Sequence, residues 1–434
     1  MKIHLKGGRL IDPVSGTDAP QDIFIAAGKI AAIGRAPADF HANKTVDASG
    51  LVICPGLVDL AARLREPGYE YRATLESEMA AAVAGGVTSL VCLPDTDPVL
   101  DEPGLVEMLK FRARGLNQAH VYPLGALTVG LKGEVITEMG ELTEAGCVGF
   151  SQADVPIVDT QVLQRAMQYA KTFGYTLWLR AQDPFLSKGG VAASGAVASR
   201  LGLPGVPVAA ETIALHTIIE LVRITGARVH LCRLSSADGV ALMRAAKAEG
   251  LPMTCDVGAN YLHLTDMDIG YFDAQCRLTP PLRGQRDRDA IRAGVADGTI
   301  DAVCSNHTPV DDDEKLLPFG EASPGATGLE LLLSLTLKWA DEMRIPLVKA
   351  LASITSAPAD VLGSAGARAG QIAEGTVADL CVFDPAAHWQ VQPAMLRSQG
   401  HNTPFLGYEL PGRVRVTLVG GQIVFEQRAP RESS

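Results

Sequence analysis

The 434-residue chain has no run of 18 or more uninterrupted apolar residues, so no membrane-spanning helix is expected. It opens MKIHLKGGRLIDP, without an apolar stretch leading to a small-residue cleavage site, so no secretory leader is expected either. Basic charge is in deficit. The 38 Lys and Arg stand against 49 Asp and Glu, a formal net charge of −11, which counts against a nucleic-acid binder with its usual basic surface. No CxxC pair occurs among the eight cysteines. They lie scattered in apolar, strand-like runs and read as buried thiols of a cytoplasmic protein, not as a disulfide framework. No glycine cluster follows a strand in the pattern that cradles a dinucleotide. The acidic run Asp311–Asp312–Asp313–Glu314 lacks the glycine and alternating oxygens of a calcium loop and reads as solvated. There is no solenoid-length repeat and no low-complexity tract.

What is present is an ordinary globular balance, 47% apolar and 20% charged, on a chain long enough to bury a large core. The length suits a barrel of ~250 residues plus a smaller domain. The first fifty residues alternate short β-forming runs with Gly and Asp turn signals. The last seventy resume that style, with a hairpin signal at Gly420–Gly421. The two ends together predict one small β-sandwich from residues 1–53 and 365–434. Between them, from 54 to 364, helical and strand-like stretches alternate: ATLESEMAAAVAGG then VTSLVCLP, DTQVLQRAMQYAKTFG then YTLWLRAQ, ETIALHTIIELVRITG then ARVHLCRLS. Repeated helix–strand units imply parallel strands and an α/β class, a (β/α)8 TIM-type barrel, with a doubly wound open sheet as the alternative. Several strands end in polar residues, which places them on the rim where such barrels carry their sites. The tail QRAPRESS is expected to be disordered.

Residues 54–68 read CPGLVDLAARLREPG, which resembles the dihydroorotase family of the amidohydrolase superfamily. There the first barrel strand ends in a His-x-His pair followed by LREPG. The likeness continues in order along the chain. AAAVAGGVTSLVCLPDTDPV resembles a stretch ending in Pro-Asn-Thr, GFSQAD resembles FSDDG, and LRAQDP resembles a His-x-Glu-Asp-Pro strand end. VHLCRLSS resembles a strand ending in His, and SNHTP resembles Asp-His-x-Pro. The opening and closing β segments resemble the superfamily's composite small domain.

The resemblance implies hydrolysis or closure of a cyclic amide by a metal-bound hydroxide, with imidazoles and carboxylates converging on the metal at the barrel rim. This chain departs from that pattern at the matched positions. Ala61 and Arg63 replace the His-x-His pair, and Arg180 and Arg233 replace the later histidines. Gln152 and Ala153 replace the acidic pair, and Asn306 replaces the carboxylate that serves as ligand and base. Alanine has no lone pair to give, guanidinium is donor-only, and an amide cannot take up a proton as a carboxylate does. No metal, no other cofactor and no catalytic residue are therefore expected, and the chain is expected not to be an enzyme. Arg65 keeps the family's substrate-carboxylate position, while Asp95 stands where its asparagine belongs and would repel an anion. His307 survives beside the lost carboxylate as a hydrogen-bonded rim residue. The remnant pocket is thus Ala61, Arg63, Arg65, Asp95, Gln152, Ala153, Arg180, Arg233, Asn306 and His307. Its arginines either pair with Asp59, Asp95 or Asp183, Arg65 pairing with Glu66 or another rim carboxylate, or form an anion pocket.

Within the family, the resemblance is to dihydroorotase-like chains that associate with aspartate carbamoyltransferase. It implies a structural or assembly subunit of that enzyme in pyrimidine biosynthesis, with a homodimer also possible. The alternative is a binder, or a metal-independent hydrolase, that uses the arginine-lined pocket for an anionic metabolite.

Overall fold

The computed structural model describes residues 1–427, so the expected disorder of the tail lies, from residue 428 onward, outside the described residues. No helix among the described residues is long and apolar enough to cross a membrane.

The middle of the chain forms an α/β ring of eight parallel strand segments: Leu57–Ala62, Val87–Cys92, His120–Pro123 continuing as Gly125–Ala126, Phe150–Ser151, Thr176–Leu179, Arg228–Leu231, Met253–Gly258 and Ala302–Cys304. Four of them, Leu57–Ala62, Val87–Cys92, Phe150–Ser151 and Ala302–Cys304, are buried along their whole length, as strands covered on both faces must be. Helices return the chain between them, set by local chemistry that the sequence already carries. Thr74 caps Leu75–Ala84 by accepting from Ser77 N–H. Asp159 caps Thr160–Phe173, which ends at the left-handed Gly174. Ser236 caps Ala237–Ala248. Side-chain acceptors at helix starts and glycines beyond helix ends satisfy backbone groups that the helix leaves unpaired.

The expected closed barrel needs correction. The ladders form a three-stranded and a six-stranded parallel sheet, not one continuous ring. At Leu124 the chain changes partner, from Val87–Cys92 on one side to Phe150–Ser151 on the other. At the seam between first and last strands, pairing shrinks to a bridge between Ala62 and His307. There Ser305 sends its N–H and its hydroxyl to the Asp59 carboxylate at 2.7 and 2.5 Å, so a side chain takes the place of ladder carbonyls. The seam still brings the two ends of the ring together, which excludes the open doubly wound sheet.

Strands from both chain ends interleave in a single hydrogen-bonded network of eight strands, as a small β domain built from both termini requires. Val52–Pro55 lies between Ile3–Asp12 and Leu380–Gln390, antiparallel to the latter with Cys54 opposite Cys381. Ile3, Leu5, Ile23, Ile53, Leu380 and Leu418 fill a core of its own. The hairpin from Glu409–Val419 to Gln422–Glu426 turns through Gly420 and Gly421, both at positive φ, the conformation a two-residue hairpin demands.

Candidate functional site

The residues that leave the C-terminal ends of the parallel strands converge on one carboxylate, Asp154. Arg63 follows the first strand, Arg180 the fifth and Arg233 the sixth. Arg63 Nη2 donates to Asp154 Oδ2 at 2.6 Å, Arg233 Nη2 lies 2.7 Å from Oδ1, and Arg180 Nη1 donates to Oδ1 at 3.2 Å. Arg63 also donates through Nε to Asp95 Oδ2 at 2.7 Å and through Nη1 to Thr308 Oγ1 at 3.1 Å. The three arginine side chains are between 1% and 9% exposed, whereas Asp154 is 32% and Asp95 27% exposed. The guanidiniums thus form the floor and the carboxylates face the opening.

The electrostatics follow from that layering. Burial alone would raise the Asp154 pKa, but the charges of Arg233, Arg63 and Arg180 outweigh it and hold the carboxyl well below its ordinary range. Burial pushes Arg63 and Arg233 down, and their carboxylate partners more than restore them. Arg180 ends below its usual value because burial dominates and Arg233 adds repulsion. Arg65 donates only through Nε to the Pro309 carbonyl at 2.9 Å. Burial and then Arg63 bring it down to about 10. Three guanidiniums (Arg63, Arg180, Arg233) therefore share the carboxylates Asp95 and Asp154, Arg65 pairs with neither, and guanidiniums outnumber the carboxylates paired with them at the mouth.

Four residues of this site adopt left-handed backbone: Arg65 (φ 62°), Ala153 (φ 51°), Arg233 (φ 56°) and Asn306 (φ 49°). Each lies shortly beyond a strand end, where the chain must bend to aim a side chain inward. Such conformations cost non-glycine residues of order 1 kcal/mol each and persist where the surroundings fix them. Gln152 is locked beneath them, its Oε1 accepting from Thr128 and its Nε2 donating to the Leu131 carbonyl, both at 2.9 Å. Ala61 is buried and has no polar side chain; it takes part through its backbone, its carbonyl accepting from His307 N–H at 3.0 Å.

The arginines expected at the mouth do come together, and of their expected partners Asp95 is in place, holding Arg63. Asp59 serves Ser305, Asp183 caps the turn at Phe185 and Leu186, and Glu66 pairs with Arg112 and accepts from Leu75 N–H. Of the three proposed aspartates, only Asp95 meets an arginine of the pocket. Asp154 was missed, although it is the one carboxylate left in GFSQAD, next to the two substituted acidic positions.

His307 does not face the arginines. It lies 1% exposed on the other side of its strand end. Its Nδ1 accepts from Gly328 N–H at 3.0 Å, which leaves the proton on Nε2 to donate to Glu78 Oε2 at 2.5 Å. Glu78 also accepts from Ser398 Oγ and Gln399 N–H. Beside it Glu330 accepts from the backbone N–H of Arg397 and Ser398. His307 thus belongs to a buried clasp that ties residues 397–399 to the ring.

The residues at the matched positions do not fit a divalent cation. Ala61 offers no side-chain ligand, the three arginines bring like charge, and Asn306 spends its amide on the Thr279 carbonyl. Among the described residues one cluster of ligand types does converge, His230, Cys232 and Asp256, with donor atoms within 4.8 Å of one another. Its lone pairs are already engaged. His230 bonds Asp256 through Nε2 at 3.0 Å and Thr254 through Nδ1 at 2.8 Å, and Asp256 Oδ1 accepts from Arg233 N–H. Burial holds the Cys232 thiol far above its ordinary pKa.

Comparison with known proteins widens this picture. Residues 50–239 match the Dihydro-orotase-like family and residues 271–425 the Amidohydrolase family. The chain is 45% identical to the dihydroorotase-like protein of Pseudomonas aeruginosa over 426 residues, covering 98% of this chain and 100% of that one. It is 40% identical to the dihydroorotase of Geobacter sp. (strain M21), with the same coverage. Among solved structures, L-hydantoinase (dihydropyrimidinase) from Arthrobacter aurescens superposes with a TM-score of 0.86 at 25% identity, over 98% of this chain and 96% of that one. These likenesses overturn the expectation that the chain is not an enzyme, since relatives of this closeness carry the name dihydroorotase and the fold neighbour is a hydantoinase. Missing ligands at the matched positions do not decide what the residues in their place can do.

Proposed function

We propose that this chain, which belongs to the dihydroorotase-like branch of the amidohydrolase family, serves pyrimidine biosynthesis as an assembly subunit of aspartate carbamoyltransferase. One observation carries the reading. The scaffold is kept over its whole length while its mouth is rebuilt from a cation-holding to a cation-repelling centre, with Arg63, Arg180 and Arg233 on Asp154. Retention of the framework with rebuilt chemistry points to selection on the surfaces and the rigidity of the framework. The test is sedimentation of the full chain with the catalytic chain of aspartate carbamoyltransferase from the same organism. Carbamoyl transfer and dihydroorotate ring opening are assayed before and after mixing. A larger species with raised transfer activity is expected; two species that sediment independently, with unchanged transfer, defeat the reading.

A second reading is favoured by the surplus of guanidiniums over their paired carboxylates at the mouth: a site for an anionic metabolite, with Arg65 and Arg180 as its donors. Titration calorimetry with carbamoyl aspartate and with phosphate should then give binding that Arg180→Ala abolishes. No heat from either ligand would remove it.

A further inference from the structure

We propose that the segments 266–277 and 311–318 together form a docking surface for a protein face with an apolar socket bordered by lysine and arginine. Both segments follow the C-terminal ends of neighbouring parallel strands, Met253–Gly258 and Ala302–Cys304, so the surface stands on the same rim as the arginine mouth.

Its centre is apolar and unusually bare. On the first segment Tyr271 is 93% exposed, with Met267 and Phe272 also exposed; on the second Leu316 is 82% exposed, with Leu317 beside it in sequence. Single apolar side chains on a surface mean little, but a cluster with an aromatic pair marks a contact site. Tyr271 and Phe272 are packed edge to face, ring centroids 5.6 Å apart.

The cluster is held in place, and at a cost. Phe272 has φ 64°, left-handed backbone that a bulky residue rarely adopts. Thr265 and Asp268 bond each other reciprocally at the start of this segment, and Asp273 N–H donates to the Ile269 carbonyl at 2.9 Å. Lys315, buried, stitches the two segments together by donating to the carbonyls of Ala274 and Arg277 at 3.0 and 3.2 Å. Burial brings its pKa down to about 8, and its charge is turned inward. An aromatic tip fixed this firmly would lose little freedom on contact, which is how rigid anchors gain affinity.

The charge of the border selects the partner. On these two segments the exposed charged side chains are Asp268, Asp273, Asp312 and Asp313, all acidic. Arg277 and Glu314 are half-buried, Glu314 in an ion pair with Arg72. An acidic rim around an apolar centre complements a basic rim around a socket. The occupant, resting on the assembly reading above, is the catalytic chain of aspartate carbamoyltransferase. The socket is expected to receive Tyr271 and Leu316.

The test measures the affinity and association rate of the full-length chain for that catalytic chain. It uses wild type, Tyr271→Ala/Leu316→Ala, Asp312→Asn/Asp313→Asn, and Phe111→Ala as a control on the far helix Pro103–Leu116, where Phe111 is 78% exposed. Thermal melts establish that each variant is folded. The apolar double variant should weaken the complex ~30-fold or more. The acidic double variant should slow association ~3–10-fold at low salt, with the difference vanishing at high salt. Phe111→Ala should match wild type. A complex that forms equally well with all variants overturns the docking surface and leaves the assembly reading standing. Weakening by Phe111→Ala equal to that by the apolar pair also overturns the surface. Absence of any complex with wild type overturns both.

Discussion

At the scale of single residues, the site turns on Asp154. Three guanidiniums share its two oxygens, so its removal leaves buried like charges facing one another. Asp154→Asn should lower unfolding stability by about 2–4 kcal/mol, read from urea denaturation. Phosphate should restore part of that loss in the variant and do little for wild type; equal effects on both would refute the role of Asp154 as built-in counter-anion. Gly68 is a second residue on which the rim depends. It sits at φ 98°, and a Cβ there would meet the Asp97 carbonyl oxygen at 2.2 Å. Gly68→Ala should therefore destabilise the protein by about 1–3 kcal/mol and loosen the segment that presents Arg63 and Arg65. A melt indistinguishable from wild type would show that the loop gives way freely.

Among elements, the clasp between residues 397–399 and the ring is where acidity should be felt. Burial raises Glu330 to about 7, above the ordinary Glu value of about 4.3. A carboxyl whose folded pKa is raised contributes stability that is complete below about pH 4.3 and is lost as pH rises through about 7. Asp59 at the ring seam, raised by burial to about 6, acts with the same sign. The contribution of these two carboxyls should accordingly fall from pH 4.5 to 7.5, against that of His263, which burial lowers to about 4 and which gains as pH rises; Glu330→Gln should therefore make the measured slope more positive. A slope unchanged in the variant would assign the pH dependence elsewhere. The elements themselves were legible in the sequence where chemistry is local. Thr74, Asp159 and Gly174 announce their helix ends, and Gly420–Gly421 its hairpin. The open seam was not legible, because it depends on Ser305 finding the Asp59 carboxylate 246 positions away. The left-handed backbone at Arg65, Ala153, Arg233 and Asn306 was equally hidden, since tertiary contacts hold it against local preference. Asp154 was legible in part, as the carboxylate that follows Gln152 and Ala153 beyond the strand Phe150–Ser151.

For the whole molecule, the two termini depend on each other. Val52–Pro55 has Ile3–Asp12 on one side and Leu380–Gln390 on the other. A chain ending at residue 379 would leave Ile53 and its neighbours without that cover. Such a truncation should be insoluble or lack cooperative melting, as judged by circular dichroism; a cooperative transition would show that the ring and the first strands suffice.

That interleaving also sets a clock on synthesis. A ribosome adding about 5–20 residues per second delivers residue 380 roughly 15–65 s after residue 55. Throughout that interval the opening strands have been made and their partner has not. The nascent chain must spend it with the Val52–Pro55 edge unsealed, at the stage when another copy emerging from the same message could pair with it instead.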